Sequence, residues 1–401
     1  VDRTALGLHW DLEPDLIFLN HGSFGLAPRE LVDWRCRVLR EIERDPVTAL
    51  VERVPLELAS ARTCLADLVG AQSEQLVFVP STTYGLNQLM QRLDQMVDGL
   101  PAGSEILMLD HGYNATINLV RYAAERHGWR LRLVPVPIPL HDPAELVQAL
   151  ERVWTQQSRV LLIDHITSPS ALVMPLEPLI ALAHSRDAWV IVDGAHAPGS
   201  LALDLQHLQA DAYVGNLHKW LCCPRGSAFL WVSDHWRDRL RPLVISHGAN
   251  APNSDSTSRF HLEHDWIGTA DPTPWLAISE AMRLLGGLAG KNLDYLIQRN
   301  HRLAQACQEV LLDALDAQPV APVSCQASMI AVRLPPTDVV NGLALQQQLL
   351  ARGFQVPIIP SQPHRLGVDQ FLRISCFAYN ELCDIRKLAS CLPALLADAA
   401  A

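Results

Sequence analysis

The feature that most constrains this chain is an alternation running from about residue 70 to 235, in which short β-rich runs are separated by stretches long enough for helices. The expected strands are Leu76–Val79, Glu105–Leu109, Leu131–Val136, Val160–Ile163, Trp189–Val192, Ala212–Val214 and Ala228–Val232. Several are continuously apolar, and a strand apolar on both faces belongs inside a parallel sheet covered by helices. Tyr84–Met96 and Asn114–His127 fit crossover helices, whereas the last two strands are joined by a short irregular segment. The pattern predicts an α/β fold with a doubly wound, mostly parallel sheet. Ligands bind such sheets at the carboxyl ends of the strands, so the residues just after each strand are where chemistry is sought.

Beyond this core, Ser246–Arg259 is polar and rich in Gly, Asn, Pro and Ser, and predicts a loop. Pro274–Leu285 and Leu293–Leu315 pattern as helices, and Met329–Leu334 and Phe371–Ser375 as strands. The expected organisation is a large domain over 16–284 and a smaller one over 285–401, joined by the N-terminal segment 1–15. The net charge of −11, with no run of Lys and Arg, is wrong for gripping a nucleic-acid backbone. No apolar run reaches the roughly 18 residues needed to span a bilayer. The first residues lack the basic start and apolar core of a secretory leader. The nine cysteines are odd in number and scattered, without C-x-x-C spacing, which points to reduced thiols and no metal site. These features predict a cytoplasmic protein with a small-molecule partner, and neither nucleic acid nor membrane.

Three motifs carry chemistry. In Val190-Ile191-Val192-Asp193-Gly194-Ala195-His196 an apolar strand ends in an aspartate. Such a residue also caps helices and turns, so it needs a partner. One arrives 26 residues later in Asn216-Leu217-His218-Lys219-Trp220, after the next strand, which puts both side chains at one carboxyl edge. Pyridoxal 5′-phosphate requires this pair: a lysine that holds the cofactor covalently and moves protons at the substrate Cα, and a carboxylate that keeps the pyridine nitrogen protonated. The third motif, Pro80-Ser81-Thr82-Thr83-Tyr84-Gly85, lies between a strand and a helical run. Its hydroxyls and free N–H groups suit a phosphate, although the same residues serve as plain helix caps. Neither G-x-G-x-x-G after a strand nor G-x-x-x-x-G-K-[ST] occurs.

Taken in order, Ser81-Thr82-Thr83, Asp110-His111-Gly112-Tyr113-Asn114-Ala115, Asp193-Gly194-Ala195-His196 and His218-Lys219-Trp220 resemble the class V aminotransferases, a family of fold-type I pyridoxal phosphate enzymes. The stretches 18–25, 164–169, 268–275 and 372–375 are most similar to the isopenicillin N epimerase-like branch, and the resemblance runs from about residue 16 to 395. It implies an aspartate-aminotransferase-like fold, with a mostly parallel seven-stranded sheet and a smaller α+β C-terminal domain. Lys219 and Asp193 become the catalytic pair. Ser81, Thr82, Thr83 and His218 would hold the phosphate, Tyr113 would stack on the ring, His196 would lie beside it and Ser168 near its 3′ oxygen. Thr269 would reach the phosphate of a neighbouring subunit, implying a homodimer with shared sites. Arg373 would clamp the substrate carboxylate, a bidentate task that suits a guanidinium. Asn20 and His21 would close over the substrate from the other side.

The resemblance points first to epimerisation or racemisation at Cα of an amino acid, next to a C–S lyase that expels a β-substituent, and third to transamination. Related cysteine desulfurases place a nucleophilic cysteine roughly fifteen residues before the arginine. Here Val356–Arg365 contains none, which argues against a protein persulfide. A ligand-sensing module of a transcription regulator is disfavoured by the charge and by the lack of a basic helix-turn-helix segment. Substrate specificity is expected in the stretches 246–266 and 355–370.

Overall fold

The structure, a computed structural model, describes residues 6–96, 100–252, 257–288, 290, 292–363 and 365–399. Residues 1–5 of the N-terminal segment, and residues 253–256 and 364 of the two expected specificity stretches, lie outside the described residues.

Seven strands form the central sheet: β1 (Leu76–Val79), β2 (Glu105–Leu109), β3 (Arg130–Val134), β4 (Ser158–Asp164), β5 (Trp189–Asp193), β6 (Ala212–Asn216) and β7 (Ala228–Val232). Their order is β1-β7-β6-β5-β4-β2-β3. From β6 to β3 every pairing is parallel, and β7 runs antiparallel to both β1 and β6. The antiparallel β7 follows from the short β6–β7 connection, which has no room for a crossover helix. The chain winds outward from β2 to β3, then returns through β4, β5 and β6. The order therefore reverses at β2/β4, where a crevice opens beyond the strand ends.

Strands β4, β5 and β6 run to Asp164, Asp193 and Asn216, each a residue or two past the apolar run that predicts it. Ladder hydrogen bonds are made by the backbone and do not depend on side-chain polarity, so a strand can continue into polar residues that face the site. Asp164 and Asp193 are register partners. The stretch predicted as one helix from Pro274 is observed as two, Thr273–Leu276 and Ile278–Leu288, and the predicted loop holds a short 3₁₀ turn at His247–Asn250.

The smaller C-terminal domain contains β8 (Met329–Leu334), β9 (Ile358–Pro360) and β10 (Gln370–Ser375), antiparallel in the order β9-β10-β8. Ile330, Val332, Leu372 and Ile374 pack with Leu311 and Leu388 from the helices Leu293–Leu315 and Leu382–Ala399. The N-terminal segment is stitched to this domain: Ile17–Phe18 pairs in parallel with Phe354–Gln355, and Asn20 bridges to Ser375 at the end of β10. Trp10, fully buried, meets Phe377 and Tyr379 edge-on, at 5.6 and 5.4 Å between ring centroids. This stitching brings residues 20–25 onto the carboxyl-end edge of the large sheet, where His21 meets the Lys219 carbonyl.

Candidate active site

Lys219 lies in the buried turn after β6, and Asp193 ends the neighbouring strand β5. The Lys219 amine is 3.1 Å from His196 Nε2. Burial, reinforced by the charge of Arg373, pushes Lys219 down to about 7 against the pull of Asp193 and Asp164. Much of the amine is then unprotonated, and so nucleophilic, near neutral pH. Burial holds His196 well below its usual range, so the ring is neutral. With Nε2 accepting from Lys219, Nδ1 carries the proton, and Nδ1 has no partner.

Asp193 accepts from Thr116 Oγ1 at 3.1 Å and from the Ala195 amide at 3.1 Å. Beside it stands Asp164, equally buried, which accepts from the Tyr113 amide. Burial raises both carboxyls, and the Asp193 charge raises Asp164 further. Neighbouring carboxyls in a dry site oppose each other's ionisation, and the effect falls more heavily on Asp164 than on Asp193.

At the start of the helix Thr82–Met96, Ser81 Oγ accepts from the Tyr84 amide at 3.1 Å. The Thr82 amide donates to Asn216 Oδ1 at 3.0 Å, while its own hydroxyl is buried without a partner. Thr83 faces solvent. His218, pushed down to about 4 mainly by burial, donates through Nδ1 to the Ser227 carbonyl at 3.1 Å.

Arg373, in the central strand β10, is 2% exposed and has no carboxylate partner among the described residues. Its Nη1 donates to the Ser168 carbonyl (2.7 Å) and hydroxyl (3.2 Å), and its Nη2 to Ser23 Oγ (2.8 Å) and Asn20 Oδ1 (3.3 Å), leaving Nε unpaired. A buried cation held only by neutral oxygens suits an incoming carboxylate.

Arg373 and Lys219 both open on one cavity of about 210 Å³, lined also by Ser23, Tyr113, Ser168 and His196. Tyr113 stands at its mouth, 46% exposed. Asn20 reaches the site through Arg373. His21 is placed differently from expectation, for it does not face the cavity. It is fully buried and stacked on Phe377 at 3.8 Å; its Nδ1 accepts from the Tyr379 hydroxyl at 2.8 Å and its Nε2 donates to the Lys219 carbonyl at 3.0 Å. Its nearest function is to hold the lysine turn. Gly25 allows this approach: its φ is +63°, and a Cβ there would sit 1.8 Å from the His218 carbonyl oxygen. Ser168 serves the Arg373 clamp in this structure. Thr269 is exposed and away from the cavity. No cysteine lines the cavity among the described residues; Cys222, Cys223, Cys325 and Cys376 are buried.

Sequence reasoning missed Ser23, Thr116, Asp164 and Asn216. Asp164 and Asn216 had a signal, each being a polar residue closing an apolar strand. Ser23 and Thr116 had none, because their roles arise from tertiary contacts.

A model of the aminotransferase class-V family matches residues 40–388. The chain belongs to that family. It is 32% identical to the isopenicillin N epimerase of Amycolatopsis lactamdurans, with 96% of each chain covered. It is 26% identical to a probable chloroplastic L-cysteine desulfhydrase of Arabidopsis thaliana, over 96% of this chain and 84% of that one. A solved complex of the cystine C–S lyase C-DES with cysteine persulfide superposes with a TM-score of 0.80 at 18% identity, covering 96% of this chain and 98% of that one, a likeness of fold.

The class-V member described here is a pyridoxal phosphate enzyme acting on an amino-acid substrate, and its residues fit that cofactor. The orphaned Thr82 hydroxyl at a helix N-terminus suits a phosphate oxygen. Asp193 can receive a pyridinium N–H, and Lys219 has the depressed basicity that imine formation needs. When bound, pyridoxal phosphate supplies an aldehyde for the amine and a cationic ring that accepts the electron pair left at Cα. Among the described residues, no helix is long and apolar enough to cross a membrane, and no cluster of metal-ligating side chains occurs.

Proposed function

We propose that this enzyme is a β-eliminating lyase that cleaves the Cβ–S bond of a cysteine-derived amino acid. One observation carries the reading: a single amine serves the cavity. Among its described lining residues Lys219 is the one amine and His196, the one imidazole, is bonded to it; the other proton carriers are the hydroxyls of Tyr113, Ser23, Ser168 and Ser361. Arg373 fixes the α-carboxylate, and Lys219 takes the Cα proton. The Cβ–S bond then breaks, with its electron pair leaving on sulfur. Hydrolysis completes the balance, one S-substituted cysteine and one water giving pyruvate, ammonia and a thiol. With no cysteine lining the cavity, sulfur leaves without forming a persulfide on the protein. Similarity to relatives named L-cysteine desulfhydrase agrees with this reading.

The 32% identity to an isopenicillin N epimerase favours a second reading, inversion at Cα. Inversion needs a proton delivered to the face opposite the one it left, and in this chain the Tyr113 hydroxyl is the candidate donor. The two readings separate in heavy water. A lyase releases ammonia and a keto acid. An epimerase returns both configurations of the substrate with deuterium at Cα and no ammonia, and that result would refute elimination.

A further inference from the structure

The cavity has two ends of different chemistry. Lys219, His196 and Tyr113 occupy the cofactor end, and Arg373 takes the α-carboxylate. The remaining wall is Phe24, Pro169, Ile359, Pro360 and Pro363. Ser361 and Asn114 also line the cavity and are polar, but neither is charged. Among the described lining residues, Lys219 and Arg373 alone carry ionic groups, and both are already assigned.

Sheet geometry places this wall against the clamp. In an antiparallel sheet, register partners project to the same face, as do residues two apart along a strand. Ile359 of β9 pairs with Phe371 of β10, and Arg373 lies two residues further along β10. Ile359 and the Arg373 side chain therefore project from one face of the small sheet, which puts Ile359 in the cavity wall on the same side as the clamp. The prolines stiffen that wall and offer no N–H donor. Phe24, 66% exposed, extends it to the mouth.

We infer that the natural substrate carries an uncharged, apolar substituent on its side-chain sulfur, an S-alkyl- or S-aryl-cysteine rather than cysteine or an S-conjugate bearing a second carboxylate. This rests on the elimination reading for the role of the sulfur. The apolar wall itself does not depend on that reading. A charged substituent would lose its water here and meet no counter-charge, whereas each methylene covered by the wall gains up to about fourfold in binding.

Two measurements on the holoenzyme test this. The first compares release of keto acid and ammonia from L-cysteine, S-methyl-, S-ethyl-, S-propyl- and S-carboxymethyl-L-cysteine. kcat/KM should climb from cysteine to S-propyl by up to about fourfold per methylene, with S-carboxymethyl below S-ethyl. The second follows the holoenzyme absorbance during titration with alanine, norvaline, norleucine and glutamate, none of which has a leaving group. Affinity should rise through norleucine, with glutamate weakest relative to its size. Ile359→Lys should flatten both alkyl series and favour the carboxylated ligands, with circular dichroism confirming the fold; the wild-type series decides the matter if that variant does not fold. A preference for cysteine, S-carboxymethylcysteine or glutamate overturns the inference and leaves elimination standing. If no cysteine derivative releases ammonia, the elimination reading falls, and the norleucine series still decides the nature of the wall.

Discussion

Replacing Arg373 by methionine separates what this residue does for binding from what it costs the fold. Burial lowers the guanidinium from its ordinary range to about 10, so it remains charged at neutral pH. One pKa unit corresponds to about 1.4 kcal/mol, so keeping this charge inside the protein costs stability on the order of 3 kcal/mol. The sign follows from the direction. The folded state binds the proton less tightly than the unfolded one, so the cost is present throughout the range below about pH 10 and is relieved only as pH climbs beyond it. Among the described residues no carboxylate pairs with it. Methionine nearly fills the space and removes the charge, so thermal unfolding of Arg373→Met should occur at the wild-type temperature or above it. Binding moves the other way. Losing one partner of a desolvated charge pair costs about 2–5 kcal/mol, which is about 30-fold to several-thousand-fold in substrate affinity. The diagnostic comparison is an amino acid against its primary amide. Wild type should discriminate strongly for the acid, and the variant should bind the two almost equally, while still holding the cofactor on Lys219. A variant that keeps the acid-over-amide preference, with KM within threefold of wild type, would refute the assignment of the clamp.

Lys219→Ala should still take up pyridoxal phosphate but form no borohydride-stable adduct, detectable by intact mass; uptake by the wild-type apoenzyme should quicken as pH rises through about 7, where the amine loses its proton. His21→Ala removes a bond to the Lys219 carbonyl and another to Tyr379, and should lower unfolding stability by about 2–5 kcal/mol and shift the pH at which the lysine–cofactor absorbance changes, with His21→Gln partly restoring that pH. His21, His165, His218 and His264 are held by burial at about 3 to 4 when folded, against 6.5 when free, so stability should be present above pH 6.5 and decline as pH falls toward 4, seen as a falling urea midpoint. Thr269 is proposed to complete the site of a second subunit in a homodimer: mixing and refolding inactive Lys219→Ala with a Thr269→Val chain should yield heterodimers with one intact site and regained activity, and a fully active monomer would sink the idea.

What was legible in the sequence divides along the range of the interactions. Strand ends flagged Asp193, and the separation to Lys219 put the pair on one sheet edge, because a crossover unit in a parallel sheet has little freedom in where it returns the chain. The apolar runs located all seven strands but not all their ends: Leu131–Val136 is observed as Arg130–Val134 and Val160–Ile163 as Ser158–Asp164, and pairing continues beneath polar side chains such as Asp164 and Asn216. The turn at Asn20–Gly25 was harder to read. Its motif marks it as functional, yet nothing local says which neighbour each side chain meets. That depends on Ile17–Phe18 pairing with Phe354–Gln355 and on Asn20 bridging to Ser375, contacts more than 330 residues apart in the chain. Once that register is set, the helical turn His21–Phe24 does the rest, since residues three apart share a helix face. Asn20 and Ser23 turn to Arg373, while His21, between them, turns inward to the lysine carbonyl. One short turn thus grips both the carboxylate clamp and the catalytic lysine. A carboxylate arriving at Arg373 competes with Ser23 and Asn20 for the same N–H groups, so the turn that supports Lys219 is also the one that substrate binding must disturb.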